Sequence, residues 1–167
     1  MKYKVMDIAR FIINYSNEKE YLISNLKLQK LLYFVQAYYL GLTEEHNPCF
    51  SEDFQAWDFG PVIPKVYKTF KIYGASNIPK INEYITEASN IFDRKKVKYN
   101  IDTIDINDRS NISKIVDAFS SYSSTDLVKI TQEQSPWINV YVPYENKKIS
   151  KESIKDFFMT TRRKLCL

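Results

Sequence analysis

Along residues 26–42, LKLQKLLYFVQAYYLGL, the apolar side chains Leu28, Leu31, Leu32, Val35, Tyr38, Tyr39 and Leu42 return at steps of three and four. That spacing gathers them on one stripe of an α-helix turned toward a core. Asn25 stands ahead of the stripe as the expected N-cap, and Gly41 stands where a C-terminal cap is expected. Lys27, Lys30 and Gln36 fall off the stripe, which predicts solvated lysines. Tyr33 and Phe34 lie on different sides of the helix, so one of the two is expected to serve a second contact. Upstream, Val5, Ile8, Ala9, Ile12 and Ile13 keep the same spacing and predict a first helix over 5–15, ended by the polar run to Glu20.

The stretch 54–67, FQAWDFGPVIPKVY, breaks this rhythm. Phe54-Gln55-Ala56-Trp57 alternates as a short extended segment, with Phe54 and Ala56 on one side. Gly60-Pro61 predicts a helix start, because Pro at the first helical position lacks only an N–H that would go unpaired. Val62, Val66 and Phe70 would bury that helix, Gly74 would close it, and Asp58 would sit favourably ahead of its N-terminus by about 0.3–1 kcal/mol. Residues 76–109 are the least regular. The alternation of Val97, Tyr99, Ile101, Ile104 and Ile106 places a candidate hairpin around 100–103. A helix beginning at Asp108 or Ser110 carries Ile112, Ile115, Val116, Phe119 and Tyr122. Ser123 to Asp126 reads as a capping box for a helix with Leu127, Val128 and Ile130. Ser135-Pro136-Trp137 opens a short helix, and a last one runs from Ser150 with Ile154, Phe157, Phe158 and Leu165. With no repeat, linker or low-complexity tract, the pattern predicts a mainly α chain. It is expected to form a single compact helical domain over 1–167, of about six helices with room for a small β-hairpin.

Composition narrows the function. At 167 residues, 44% hydrophobic and 15% aromatic, the chain supports one domain with a ring-rich core. Trp57 and Trp137 are both expected to lean into it. The net charge of +4 is dispersed. Its basic runs, Arg94 to Lys98 and Arg162 to Lys164, read as solvated loop and tail, and nucleic acid is not the expected partner. Cys49 and Cys166 form no disulfide framework, and no apolar run approaches the roughly 20 residues that span a bilayer, so a cytoplasmic protein is expected. His46 and Cys49 fall short of the four ligands of a zinc site, and no glycine-rich phosphate loop appears. Neither metal nor cofactor is expected. The acids Glu44, Glu45, Glu52, Asp53 and Asp58 read as loop and helix-start charges, and the chain reads as a non-enzyme.

Three segments together carry a resemblance: LKLQKLLYFVQAYYL (26–40), FSEDFQAWDFGPVIPKVYKTFKIYG (50–74) and LVKITQEQSPW (127–137). They resemble the GepA-like, phage-associated domain of SocA-like antitoxins, also called the Panacea antitoxin domain. Its pattern has a helix of the type LKLQKLLYFAQ, an AW-x-x-GPV turn and a late Thr-His followed by Pro-Trp. The matching positions are Leu28, Leu31 and Leu32, then Gly60, Pro61 and Val62, then Thr131, Pro136 and Trp137. Gln132 stands where the family commonly has His; Gln replaces it as a hydrogen-bond partner but not as a base or metal ligand. The resemblance implies a protein-binding antitoxin that neutralises a cognate toxin, encoded by an adjacent gene, through direct contact. The alternatives are a modulator of host defence or a protease adaptor, and more distantly a DNA-binding regulator. Asp58, Phe59, Tyr67, Trp57, Lys30 and Tyr33 are the candidates for partner contact.

Overall fold

The computed structural model describes residues 2–86 and 90–161. Its axis is α2 (Asn25–Ala37), the helix announced by the leucine stripe. Around it pack α1 (Val5–Glu18), α3 (Pro64–Phe70), α4 (Ile106–Ala118), α5 (Ser124–Gln132) and α7 (Lys151–Thr160). A helix enclosed this way is buried at every position but Leu26, and the polar residues off its stripe are internal. Each meets a partner, as buried polar groups must. Lys27 Nζ donates to the Ser120 carbonyl at 2.8 Å. The Gln36 amide accepts from Cys49 N and donates to Phe50 O, both at 2.9 Å. The solvated lysines are therefore overturned: Lys27 and Lys30 are both buried. The stripe marks the most apolar face of α2, and that says nothing of what packs on the others. For the same reason Tyr33 and Phe34 are both buried, and neither is free for a second contact.

Local signals shift by small steps. Ser24, not Asn25, caps α2, its Oγ accepting from Lys27 N at 3.2 Å. Gly41 lies inside a π-helical turn, Tyr38–Leu42, and is not a cap. A Cβ there would stand 2.6 Å from Phe158 Cβ, so this glycine lets α7 approach closely.

The largest correction falls on Gly60-Pro61. These residues begin β2 (Gly60–Val62), which pairs antiparallel with β1 (Phe54–Trp57), Trp57 opposite Gly60 and Gln55 opposite Val62. β5 (Lys148–Ile149) adds on the far side of β1, giving the order β2-β1-β5. Pro61 is tolerated because β2 is an edge strand. The helix starts at Pro64, and Ile63 before it is extended (φ −96°, ψ 108°), as residues before proline prefer. The expected alternation in β1 and the burial of Val62, Val66 and Phe70 are present.

The second hairpin is displaced from its expected position. β3 (Glu83–Ile85) pairs with β4 (Lys96–Lys98), Tyr84 opposite Val97, while Ile101–Thr103 is a 3-10 turn capped by Asn100. Asp105, not Asp108 or Ser110, caps α4. The Ser123 capping box on α5, the short α6 (Ser135–Ile138) with Pro136 in its first turn, and the Ser150 cap on α7 are as expected. Leu165, the run Arg162 to Lys164, and Cys166 lie outside the described residues. The class is mainly α, with seven α-helices and two small antiparallel sheets among the described residues. None of those helices is long and apolar enough to cross a membrane.

Candidate binding cleft

The pairing of Trp57 with Gly60 leaves Asp58 and Phe59 as the tip of the β1–β2 hairpin. Gly60 has φ +86°, and a Cβ there would lie 2.7 Å from Thr131 Oγ1 and 2.8 Å from Lys30 Nζ. Both the backbone conformation and the space demand glycine. The tip is held from beneath by residues of three helices and the loop after them. Lys30 Nζ, from α2, donates to the Pro61 carbonyl at 2.9 Å. Gln132 Nε2, from α5, donates to the Asp58 carbonyl at 2.7 Å. Trp137 Nε1, from α6, donates to the Trp57 carbonyl at 3.1 Å. The Tyr141 hydroxyl, just beyond, donates to Asp58 Oδ1 at 3.0 Å. The three sequence segments that stand far apart in the chain thus converge on one turn.

Lys30 is the electrostatic oddity of this base. Its residue exposure is 0%, and among the described residues its one hydrogen bond is to a neutral carbonyl and no carboxylate faces it. Burial disfavours the ammonium and pulls its pKa down from 10.5 to about 7. Tyr33, one turn along, donates its hydroxyl to Gln134 Oε1 at 2.9 Å and packs edge-on against Phe54.

Beside the tip opens a cleft of about 550 Å³ between the hairpin and α3. The Trp57 and Tyr67 rings pack edge-to-face in its wall, 5.0 Å between centroids. Leu26 and Gln29 reach it from α2, and Lys71 and Tyr144 complete its rim. Phe59 is 67% exposed and Tyr144 91%, so large aromatic surface stands in solvent around an open concavity.

Of the sequence candidates, Trp57, Asp58, Phe59 and Tyr67 come together on this cleft. Lys30 and Tyr33 do not; both are fully buried, out of reach of a partner, and serve the base of the hairpin. Asp58 precedes a strand and not a helix, so no helix terminus stabilises it, and Tyr141 engages its carboxylate instead. Trp137 is buried as expected, whereas Trp57 is half-buried in the cleft wall. Leu26, Lys71 and Tyr144 were missed. Leu26 lies off the helical stripe, and Tyr144 sits in a loop where periodicity has no meaning.

The acids near the hairpin are occupied elsewhere. Asp53 pairs with Lys148 at 2.7 Å and with Lys151; burial raises its pKa, but these two lysines outweigh it and hold the carboxyl below its usual range. Glu52 lies 3.7 Å from Lys65. The Cys49 thiol is buried and pushed up by desolvation, and His46 Nδ1 contacts the Leu40 carbonyl at 3.0 Å. Among the described residues no cluster of three or more His, Cys, Asp or Glu is placed to hold a metal ion.

Comparison with known proteins matches the family described as antitoxin SocA-like, Panacea domain, to residues 28–138, from α2 through the hairpin to α6. Antitoxin SocA of Caulobacter vibrioides (strain NA1000 / CB15N) is 38% identical over 71 residues, which cover 42% of this chain and 37% of that protein. The chain thus aligns with little more than a third of that relative's length. No solved structure matches.

Proposed function

The chain belongs to the SocA-like antitoxin family, Panacea domain, and from that premise we propose that it is an antitoxin acting by direct contact with a cognate toxin protein in the cytoplasm. The contact surface is the cleft walled by Trp57, Asp58, Phe59 and Tyr67. One observation carries the assignment of the surface: Phe59 is 67% exposed at the tip of a turn whose backbone is tied down at Trp57, Asp58 and Pro61. A bulky aromatic held in place before binding loses little conformational entropy on docking, and such anchors dominate interface energetics. Neutralisation on this reading is steric. A stable interface covers about 1,600 Å², so a toxin seated on the cleft also extends over α3 and the Tyr144 loop.

The test is co-expression with the product of the adjacent gene. That product alone should arrest growth, and this chain should restore growth and co-purify with it. Phe59→Ala should leave folding intact, because the ring is mostly in solvent, yet weaken co-purification by at least about 1–2 kcal/mol. Rescue that persists in full with Phe59→Ala combined with Tyr67→Ala places the contact on another face and refutes the assignment.

A further inference from the structure

We infer that the cleft receives an acidic polypeptide segment, one that packs a bulky apolar side chain against the paired rings of Trp57 and Tyr67 and sets a carboxylate against Lys71. The inference rests on the protein-binding reading of the cleft and adds the chemistry of what enters it.

The floor of the cleft has its polar atoms engaged. Asn25 Nδ2 donates to the Tyr67 carbonyl at 3.0 Å, Gln29 Nε2 donates to Asn25 Oδ1 at 3.2 Å, and Gln29 Oε1 accepts from Ile63 N at 2.9 Å. An apolar side chain entering from solvent therefore breaks none of these bonds, and it covers Leu26, Val62 and the two rings.

Lys71 stands on the rim, at the end of a row of lysines along α3. Lys65, Lys68 and Lys71 recur every third residue along α3 and its 3-10 extension, Lys71–Tyr73, and all three are exposed. Residues so spaced stand on one side of a helix. Lys65 is within reach of Glu52 at 3.7 Å. The ammonium groups of Lys68 and Lys71 have no hydrogen bond or ion pair among the described residues. On the opposite lip the Asp58 carboxylate accepts from the Tyr141 hydroxyl. That neutral hydroxyl does not cancel the Asp58 charge, so Lys71 and Asp58 balance within the cleft, and the positive excess is Lys68 beside it on α3, which an anionic neighbour of the anchor side chain answers.

The experiment is an amide NMR titration of the intact chain with three short synthetic peptides: Trp-Leu flanked by Glu, Trp-Leu flanked by Lys, and Ser-Ser flanked by Glu. The Glu-flanked Trp-Leu peptide should shift the amides of residues 57–59, 67 and 71 and bind most tightly of the three. Lys68→Glu with Lys71→Glu should weaken it about fivefold or more, an effect that fades at high salt. Phe59→Ala should weaken both Trp-Leu peptides. Equal binding of the Glu and Lys peptides, with both lost in Phe59→Ala, overturns the acidic preference and leaves the cleft standing as a contact surface. Binding that Phe59→Ala leaves unchanged, or no shift at the cleft with any peptide, overturns both. A short DNA duplex that shifts Lys68 and Lys71 independently of Phe59 would assign the lysine ridge to phosphate and also overturn the inference.

Discussion

Lys30→Met tests the unusual base of the hairpin most directly. In the folded chain the Lys30 ammonium is fully buried, has no counter-charge among the described residues, and has a pKa of about 7 against 10.5 for a free lysine. Below about pH 7 both the folded and unfolded chains bind the proton, and folding carries the whole desolvation cost. Between pH 7 and 10.5 the unfolded chain holds a proton that the folded chain has released, so stability rises with pH across that window. At 1.36 kcal/mol per unit, the cost is on the order of 5 kcal/mol below pH 7 and shrinks by roughly 2 kcal/mol on going to pH 9. Methionine fills a similar space and carries no charge, but it leaves the Pro61 carbonyl without its donor, a loss of about 1–3 kcal/mol. Urea unfolding at both pH values measures the difference. Wild type should gain about 2 kcal/mol on the variant between pH 7 and pH 9, and near pH 6 the variant should be the more stable protein. Every other ionisable group is common to both chains and cancels. Parallel pH profiles would show that Lys30 keeps an ordinary pKa in the folded state and refute the reasoning.

Two further outcomes are expected. Gly60→Ala places a methyl group 2.7 Å from Thr131 Oγ1 in a backbone of φ +86°, and should lower the stability read by chemical denaturation by about 2 kcal/mol or more. Asp108 is buried, which raises its pKa, yet hydrogen bonds from Lys2, Tyr3 and Tyr39 outweigh burial and hold the carboxyl low. Its stabilisation is present above the ordinary aspartate range and lost as pH falls through the folded pKa; Asp108→Asn should destabilise at neutral pH and flatten the acid limb of a thermal melt.

What could be read in advance follows from the range of each signal. The stripe of α2, the alternation in β1, the Ser123 capping box and the Ser150 cap rest on neighbours within a few residues, and they were legible. The register of Tyr84 against Val97 is a pairing of positions far apart in the chain, and nothing in either strand alone announces it. Gly60-Pro61 satisfied a local rule that two structures share, since proline suits both the first turn of a helix and an edge strand. The choice was made by contacts distant in sequence, from β1 and from Lys30 Nζ. The same long-range contacts turned Lys30 and Tyr33 from surface candidates into supports for the hairpin, while Trp57, Asp58, Phe59 and Tyr67 were placed by the local sequence around that turn.

Gln132 shows how the supports and the displayed surface are linked. Its position follows Thr131, whose hydroxyl closes on Gly60 from below, and its side chain reaches up to the Asp58 carbonyl at 2.7 Å. What that carbonyl requires is a single N–H donor. A neutral histidine with its proton on Nε2 can supply one, and so can the Gln amide, without a titrating group. The substitution therefore preserves the hold on the tip through the pH range where an imidazole would change charge. Lys30 is left as the group beneath the tip whose protonation changes near neutrality, so pH sensitivity in the display of Phe59 should be traced to Lys30, with Gln132 contributing none.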